Sequence, residues 1–168
     1  MLKQVGTINF DKGLVDVTDP SYKQDVWCRK TIPVVSGVYK VIVEYVNHDH
    51  WGKRINSLTI QLSRKIIRSE WKLLEEKIGV DSALCGFYQD KPDEVMEWLY
   101  DVMVKSKYPR MLLDKDGSIQ GFKGVTVSSG LGDGVYKLYA RYNKNQDIVG
   151  LMLDFDVVNY GEKLRGAK

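Results

Sequence analysis

A four-residue block occurs twice in the sequence and restricts the folds that the chain can adopt. Gly37–Lys40 (GVYK) is followed five positions later by Tyr45, and Gly134–Lys137 (GVYK) is followed at the same distance by Tyr142. The two copies are 97 positions apart, and a polar loop and an alternating apolar segment come after each. The chain therefore contains two copies of one predicted β-hairpin.

A second correspondence lies upstream of each hairpin, at an offset of 70 positions. Ile8–Leu14 (INFDKGL) resembles Ile78–Leu84 (IGVDSAL), and a polar segment with Asp and Pro follows both. Repeated β units with one apolar face bury that face against each other. The sequence thus predicts one domain over residues 1–158, an internal duplication with halves at about 1–65 and 76–158.

Alternation of apolar and polar residues dominates the pattern. Leu58, Ile60 and Leu62, for example, alternate with Thr59 and Gln61, which is typical of a half-buried strand. We predict strands near residues 3–9, 13–18, 34–46, 55–62, 78–88, 120–128, 134–142 and 147–156.

Helical spacing of apolar residues is clear in one place. The stripe begins after Pro92 and Asp93 and ends before Pro109, which predicts a helix near residues 93–106. Residues 64–77 also show helical spacing, and a helix or a bent connector into the next strand are both open there. The predicted fold is mostly β (α+β), a pseudo-twofold duplicated β-sandwich or barrel with this one helix.

Composition and charge exclude several classes of protein. The chain has 168 residues and a net charge of +3, too small to indicate binding to a nucleic-acid polymer on electrostatic grounds. No apolar run is long enough to cross a membrane, and the first residues do not read as a secretory signal. We therefore expect a cytoplasmic protein with reduced, buried Cys28 and Cys85, and a flexible basic tail at 159–168.

The glycine-rich stretch before the second GVYK block raises the question of phosphate binding. Gly130, Gly132 and Gly134 enclose Asp133 in the pattern G-x-G-x-G, and a predicted strand follows instead of a helix. Dinucleotide-binding and P-loop motifs need a helix N-terminus at that point, so both are excluded. The pattern favours a tight turn with positive φ angles, and its amides are also a candidate anion nest.

Two groups of polar and aromatic residues are candidates for ligand binding. Lys137, Tyr139 and Arg141 fall on one face of the predicted strand after the glycines. Trp51, Lys53 and Arg54 fall in the loop of the first hairpin. With the glycine stretch, the predicted ligand-binding residues are Gly130, Gly132, Asp133, Gly134, Tyr136, Lys137, Tyr139, Arg141, Trp51, Lys53 and Arg54.

Three segments resemble an uncharacterised family of bacterial and phage proteins, a domain of unknown function. Ser129–Tyr136 (SGLGDGVY) is similar to the S-G-x-G-D-G-x-Y signature of that family, and a hairpin leads from it to Leu151–Phe155 (LMLDF). Ile78–Ser82 (IGVDS) and Asp19–Tyr22 (DPSY) resemble two further segments of the family, in the same order along the chain. Ala83 stands where the family pattern has Gly, which argues against a special backbone angle there.

The resemblance implies a prokaryotic or phage origin and supports the predicted fold, but it implies no known activity. A catalytic or metal site finds little support in the residues themselves. His48 and His50 form a His-x-His pair without an evident third ligand, and Cys28 lacks a local activating base. We therefore predict no catalytic residues, no metal and no cofactor.

The leading functional hypothesis is a non-enzymatic binding protein. It would sequester a small anionic, nucleotide-like signalling ligand, by analogy with phage proteins that counter host defence, and would form a homo-oligomer. The alternative is a protein-interaction module, such as an immunity or regulatory partner. A metal-dependent hydrolase with its metal at His48 and His50 comes third.

Overall fold

The computed structural model describes residues 1–64, 69–94, 96–113, 116–119 and 121–158. Over these residues the chain forms one helix, α1 (Met96–Lys105), and twelve strands. The strands are β1 (Leu2–Phe10), β2 (Leu14–Thr18), β3 (Lys30–Pro33), β4 (Gly37–His48), β5 (Gly52–Leu62), β6 (Lys72–Val80), β7 (Leu84–Gln89), β8 (Met111–Leu112), β9 (Ser118–Ile119), β10 (Phe122–Ser128), β11 (Gly134–Tyr142) and β12 (Ile148–Asp154).

The strands form two antiparallel sheets that pack face to face. The first sheet has the order β1-β4-β5-β12-β11-β6, and the second has the order β3-β2-β7-β10-β8 with β9 also paired to β10. The apolar faces of both sheets form one continuous buried cluster. The predicted mostly β fold is confirmed, and the architecture is a sandwich of two sheets rather than a closed barrel.

Helix α1 covers the outer face of the second sheet. Leu99 and Met103, on its inner side, are buried against Tyr88 of β7 and Phe122 of β10. All six residues of β7 are buried, because the first sheet covers one of its faces and the helix covers the other. The predicted helix and its role in packing are confirmed.

The strand order reads the same in the two halves of the chain. The first sheet reads β1-β4-β5 inward from one edge and β6-β11-β12 inward from the other, so corresponding strands occupy corresponding places. In the second sheet the corresponding strands β2 and β7 are neighbours at the centre. In each half the chain runs from the first sheet to the second and back to the first.

The pairing register follows the same symmetry. Thr59 pairs with Met152 at the centre of the first sheet, and these residues are corresponding positions at an offset of 93. Val17 pairs with Phe87 in the second sheet, which is the offset of 70 seen in the sequence. A residue pairs with its own counterpart only on a symmetry axis, so both registers place an approximate twofold axis through the middle of the sandwich.

Local details repeat as well. The ladder between β4 and β5 shifts register after Glu44, and the ladder between β11 and β12 shifts after Arg141, its counterpart at an offset of 97. The Tyr39 hydroxyl donates to the carbonyl of Val35 at 2.6 Å, and the Tyr136 hydroxyl donates to that of Gly132 at 2.6 Å. These correspondences favour the internal duplication predicted from the sequence. That the two halves arose by duplication stays a prediction.

Several expected boundaries are wrong. The strand predicted at 78–88 is two strands, β6 and β7, which belong to different sheets and are joined by a turn at residues 81–83. Ala83 in that turn has a φ of 56°, so the special backbone angle is present although the residue is not Gly. Strand β3 was not expected at all.

The described part of 64–77 contains no helix, because residue 64 lies in a turn, residues 69–71 are irregular and β6 begins at Lys72. Residues 65–68 and the predicted tail at 159–168 lie outside the described residues. Within the described part of the chain, no helix has the length and apolarity needed to cross a membrane.

Candidate ligand-binding cleft

A cleft of about 640 Å³ opens at one end of the sandwich, beside the glycine-rich loop between β10 and β11. Its walls come from the β4–β5 hairpin, the segment after α1, the glycine-rich loop and the residues after β12. The lining residues are Trp51, Arg54, Tyr108, Leu131, Asp133, Gly134, Val135, Tyr136, Phe155 and Asp156. We call this site the aromatic cleft.

Trp51 stands at the tip of the β4–β5 hairpin and forms one wall. Its ring lies 4.4 Å from that of His48, centroid to centroid, and the backbone amide of His50 donates to His48 Nδ1 at 3.2 Å. These contacts hold the tip of the hairpin together. The side chain is still 42% exposed, so a large part of an aromatic surface faces solvent at the cleft.

Arg54 and Tyr108 form a second wall. The guanidinium carbon of Arg54 lies 4.5 Å from the ring centroid of Tyr108, within the range of a cation–π contact. The Tyr108 hydroxyl donates to the carbonyl of Gly130 at 3.0 Å, which fixes the ring beside the loop. The wall thus combines a cation with a partly exposed aromatic ring.

Tyr136 and Phe155 lie deeper. Their rings meet edge to face with centroids 5.1 Å apart. Burial raises the pKa of the Tyr136 phenol to about 12, so the hydroxyl stays protonated and donates to the carbonyls of Gly132 and Ser129. Tyr136 is therefore a rigid part of the cleft, and its hydroxyl is committed to the loop.

The glycine-rich loop uses two of its backbone amides in its own hydrogen bonds. The amides of Gly130 and Gly132 donate to the carbonyls of Ser128 and Ser129, and the Ser129 hydroxyl donates to the carbonyl of Gly132. Gly130 has a φ of 54° and Gly132 a φ of 121°, which explains the need for glycine. The expected turn is present, with these two amides engaged inside it, and anion binding by the loop stays a prediction.

The charges at the cleft are mixed. Arg54 contributes a cation, and Asp133 and Asp156 contribute two carboxylates. One oxygen of Asp133 accepts a hydrogen bond at 2.8 Å from the amide of Ala83, which fixes the carboxylate at the edge of the cleft. This lining suits a ligand that offers both hydrogen-bond donors and a negative group better than it suits a multiply charged anion.

Six of the eleven predicted ligand residues do not line the cleft: Gly130 and Gly132 lie in the adjoining loop, and four others lie elsewhere. Lys137, Tyr139 and Arg141 alternate with the buried Leu138 and Ala140, so they lie on the outer face of the first sheet. The guanidinium of Arg141 stacks on Trp71 at 4.2 Å and donates to Gln61 at 3.0 Å. The Lys53 ammonium lies 4.4 Å from the ring centroid of Tyr45. None of these four lines the aromatic cleft.

The three segments that carry the family resemblance meet beside the cleft. The Asp19 carboxylate is fully buried and accepts five hydrogen bonds, from the amides of Ser21, Asp81 and Ser82 and the hydroxyls of Ser21 and Ser82. The Tyr22 hydroxyl donates to Asp81 at 2.7 Å. These polar residues thus fasten a turn of one half to a segment of the other, which is a structural role.

No metal centre is present among the described residues, which hold no group of three or more His, Cys, Asp or Glu side chains suited to bind one. Cys28 and Cys85 are free and buried, as expected for small apolar side chains. Burial raises the pKa of the Cys85 thiol well above its ordinary value, which keeps it protonated and unreactive.

The sequence missed part of the cleft. Tyr108 follows α1, and Phe155 and Asp156 follow the last strand, so no local pattern connects them with the glycine-rich loop. The one signal available was the unequal length of the two hairpins, which marks the β4–β5 tip as an addition to the repeat.

Comparison with known proteins identified no relative: no family model, no curated protein and no solved structure matches the chain significantly. The resemblance to the bacterial and phage family therefore stays a prediction.

Proposed function

We propose that the protein binds a small ligand containing a nucleobase in the aromatic cleft and holds it without chemical change. The ligand is a nucleoside or a nucleotide with few phosphates. Sequestration of such a molecule as a signal, in the cytoplasm of a host under phage attack, is the biological role that we propose for this binding.

The observation that carries the proposal is where the two halves of the fold differ. The β4–β5 hairpin is longer than its counterpart by four residues, since the offset falls from 97 before the tip to 93 after it, and this tip carries Trp51. Tyr108 belongs to the segment from α1 to β9, which replaces a short connection in the first half. Trp51 and Tyr108 thus lie in two segments that the other half of the fold lacks, and both segments border the aromatic cleft.

The side chains at the cleft match the parts of such a ligand. Exposed aromatic rings provide surfaces on which a base stacks. The Asp133 and Asp156 carboxylates are acceptors for ribose hydroxyls or the exocyclic amino group of a base, and the Arg54 guanidinium is a donor for a phosphate. A volume of about 640 Å³ lies in the usual range for small-molecule sites.

The test is isothermal titration calorimetry against a panel of nucleosides, nucleoside monophosphates and cyclic nucleotides. We expect saturable binding of at least one class. Trp51→Ala removes one stacking surface, at a cost of about 1–3 kcal/mol, or roughly a 5- to 150-fold higher Kd. Arg54→Ala should weaken nucleotides more than the matching nucleosides.

Trp27→Ala is the matched control, because Trp27 is 71% exposed and does not line the cleft. It should leave the Kd unchanged. A panel without binding, or equal losses from the two tryptophan variants, would show that the aromatic cleft is not the site. Product analysis by mass spectrometry after long incubation checks that the bound ligand stays intact.

The outer face of α1 favours a second candidate, the protein-interaction module. Tyr100 and Val104 are four residues apart on one side of the helix and are 52% and 43% exposed. Paired exposed apolar residues of this kind are frequent at contacts between proteins. A cross-linker placed at position 100 tests this candidate in cell extract, with the exposed position of Lys144 as the control. Loss of the cross-linked partner in Val104→Asp supports the interaction. Equal cross-linking from positions 100 and 144 contradicts the interaction.

A further inference from the structure

The approximate twofold symmetry relates the aromatic cleft to a second cleft. This second cleft has a volume of about 520 Å³ and lies between the β3–β4 connection and the β11–β12 hairpin. Its lining residues are Pro33, Val34, Val35, Tyr142, Gln146, Asp147 and Ile148.

Corresponding positions line the two clefts. Val34 corresponds to Leu131 at the offset of 97, and Asp147 corresponds to Arg54 at the offset of 93. Each cleft lies between the loop that precedes a GVYK strand and the hairpin of the opposite half. The second cleft is therefore the symmetry mate of the aromatic cleft, and its position follows from the fold.

The charge at the corresponding position is reversed. Where the aromatic cleft has the Arg54 guanidinium, the second cleft has the Asp147 carboxylate, and its described lining contains no Lys or Arg. Asn143 holds Asp147 in place, because its side-chain Nδ2 donates to Asp147 Oδ2 at 3.1 Å and its Oδ1 accepts from the backbone amide of Asp147 at 2.9 Å. A fixed carboxylate at the edge of an apolar cleft attracts a cation.

The rest of the lining fits the body of such a ligand. Val34, Val35 and Ile148 supply apolar surface, and the amide of Val35 donates to the carbonyl of Ile148 at 2.9 Å, which ties the two walls together. The Lys72 ammonium lies 5.5 Å from the centroid of the Tyr142 ring, so this ring contributes apolar surface to the cleft and the Asp147 carboxylate is the group that recognises an ammonium.

From this placement we infer that the second cleft is a binding site for a small ligand with a primary ammonium group on an apolar body. Asp147 pairs with the ammonium, and Tyr142, Val34 and Val35 contact the apolar part. The site is independent of the aromatic cleft, so one can bind its ligand whether or not the other does.

The experiment is a titration followed by amide chemical shifts in ¹H–¹⁵N spectra. The probe is benzylammonium, and neutral benzyl alcohol of similar shape is the control ligand. We expect saturable shifts at the amides of Val35, Gln146 and Ile148, with at least a tenfold weaker Kd for benzyl alcohol. Shifts of equal size for both probes, or shifts confined to the aromatic cleft, would overturn the inference.

Variants test the named contacts. Asp147→Asn keeps an oxygen for the Asn143 amide but removes the charge, and it should weaken benzylammonium at least tenfold. Val34→Phe fills the cleft and should abolish the shifts, which keeps the test decisive if Asp147→Asn alters the loop. Arg54→Ala should leave the titration unchanged, because Arg54 lines only the aromatic cleft. Unchanged binding in both Asp147→Asn and Val34→Phe would sink the inference.

Discussion

Ala83 occupies a backbone conformation that suits glycine. Its φ is 56°, and the corresponding residue of the first half, Gly13, has a φ of 66°. The left-handed region is costly for a residue with a Cβ, by about 1–2 kcal/mol, and costs glycine almost nothing. The turn between β6 and β7 therefore contains a strained alanine, whereas the corresponding turn between β1 and β2 contains an unstrained glycine.

We expect Ala83→Gly to raise the free energy of unfolding by about 0.5–1 kcal/mol, because it relieves that strain at the cost of a more flexible unfolded chain. Urea denaturation measures the change. The reciprocal control is Gly13→Ala, which should destabilise, since a Cβ there would meet the Ser36 hydroxyl and the Val34 carbonyl at 3.0 Å. A loss of stability in Ala83→Gly would contradict the argument.

Asp19 illustrates a buried charge whose hydrogen bonds are satisfied. Five donors converge on its carboxylate, so Asp19→Asn places an amide group against donors and leaves at least one of them unpaired. We expect a loss of about 2–4 kcal/mol. Asp11→Asn is the matched control, because Asp11 pairs with Lys123 at an exposed site and its replacement should destabilise the fold much less. Similar losses from both variants would refute a special role for Asp19.

Asp154 gives a pH-dependent prediction. Burial raises the pKa of this carboxyl above its ordinary value of 3.8, and the negative charges of Asp156 and Glu44 add to the shift. A carboxyl with a raised pKa in the folded state stabilises the fold at low pH, and this contribution is lost as pH rises through the folded pKa. The Asp154 carboxylate therefore costs stability at neutral pH.

We expect Asp154→Asn to be more stable than the parent at pH 7. Its advantage should shrink as pH falls through the raised pKa of the folded state and then below 3.8, where the parent's carboxyl is protonated in both states. Chemical denaturation at several pH values measures the difference. An advantage that stays constant with pH would show that the charge of Asp154 is not the cause.

At the level of elements, the two hairpins share a register and a bulge and differ at their tips. The β4–β5 ladder continues past Val46 and Arg54 to His48 and Gly52, and only this extension carries Trp51. The β11–β12 hairpin closes with a short polar loop. The shared part of the hairpin ladder therefore serves the fold, and the extra residues at the β4–β5 tip form the wall of the cleft.

We therefore predict that replacing residues 47–53 with Asn-Gly, a two-residue turn that matches the twist of β-hairpins, preserves the fold and removes binding. Val46 and Arg54 pair in the structure and would flank the new turn. Circular dichroism and calorimetry report the fold and the binding separately. Retained nucleobase binding in this variant would show that the tip is dispensable.

The sequence predicts these elements to different degrees, for physical reasons. Long alternating strands such as β4 and β11 are visible because one face is buried and the other is wet. β3 has only four residues and ends in Pro33, and the turn at Asp81–Ala83 lacks the Gly that would have marked it. The cleft was only partly predictable, since Tyr108 reaches it through an insertion whose path no local pattern encodes.

For the whole molecule, the symmetry means that each half completes the other. The two halves meet where β5 pairs with β12 and where β2 pairs with β7, at the centre of each sheet. A half taken alone would expose these strand edges and its apolar face to water. Stability therefore belongs to the pair of halves.

We expect fragments 1–64 and 69–158 to be unfolded separately and to form a folded complex when mixed. Near-UV circular dichroism of each fragment and of the mixture tests this. Native-like signal from either fragment alone would contradict it.

Native mass spectrometry of the intact chain tests the predicted homo-oligomer. A monomer at all protein concentrations would refute that prediction.

The place of β12 in the first sheet has a consequence for synthesis. Among the described strands it is the last to be synthesised, yet it lies between β5 and β11 in the middle of the sheet. Until residue 154 emerges, one edge of β5 and one edge of β11 have no partner strand. The pairing of β5 with β12 also joins residues that are distant in sequence, which slows folding. The nascent chain thus passes through a long interval in which a chaperone, or another chain with a matching edge, competes with β12 for these edges.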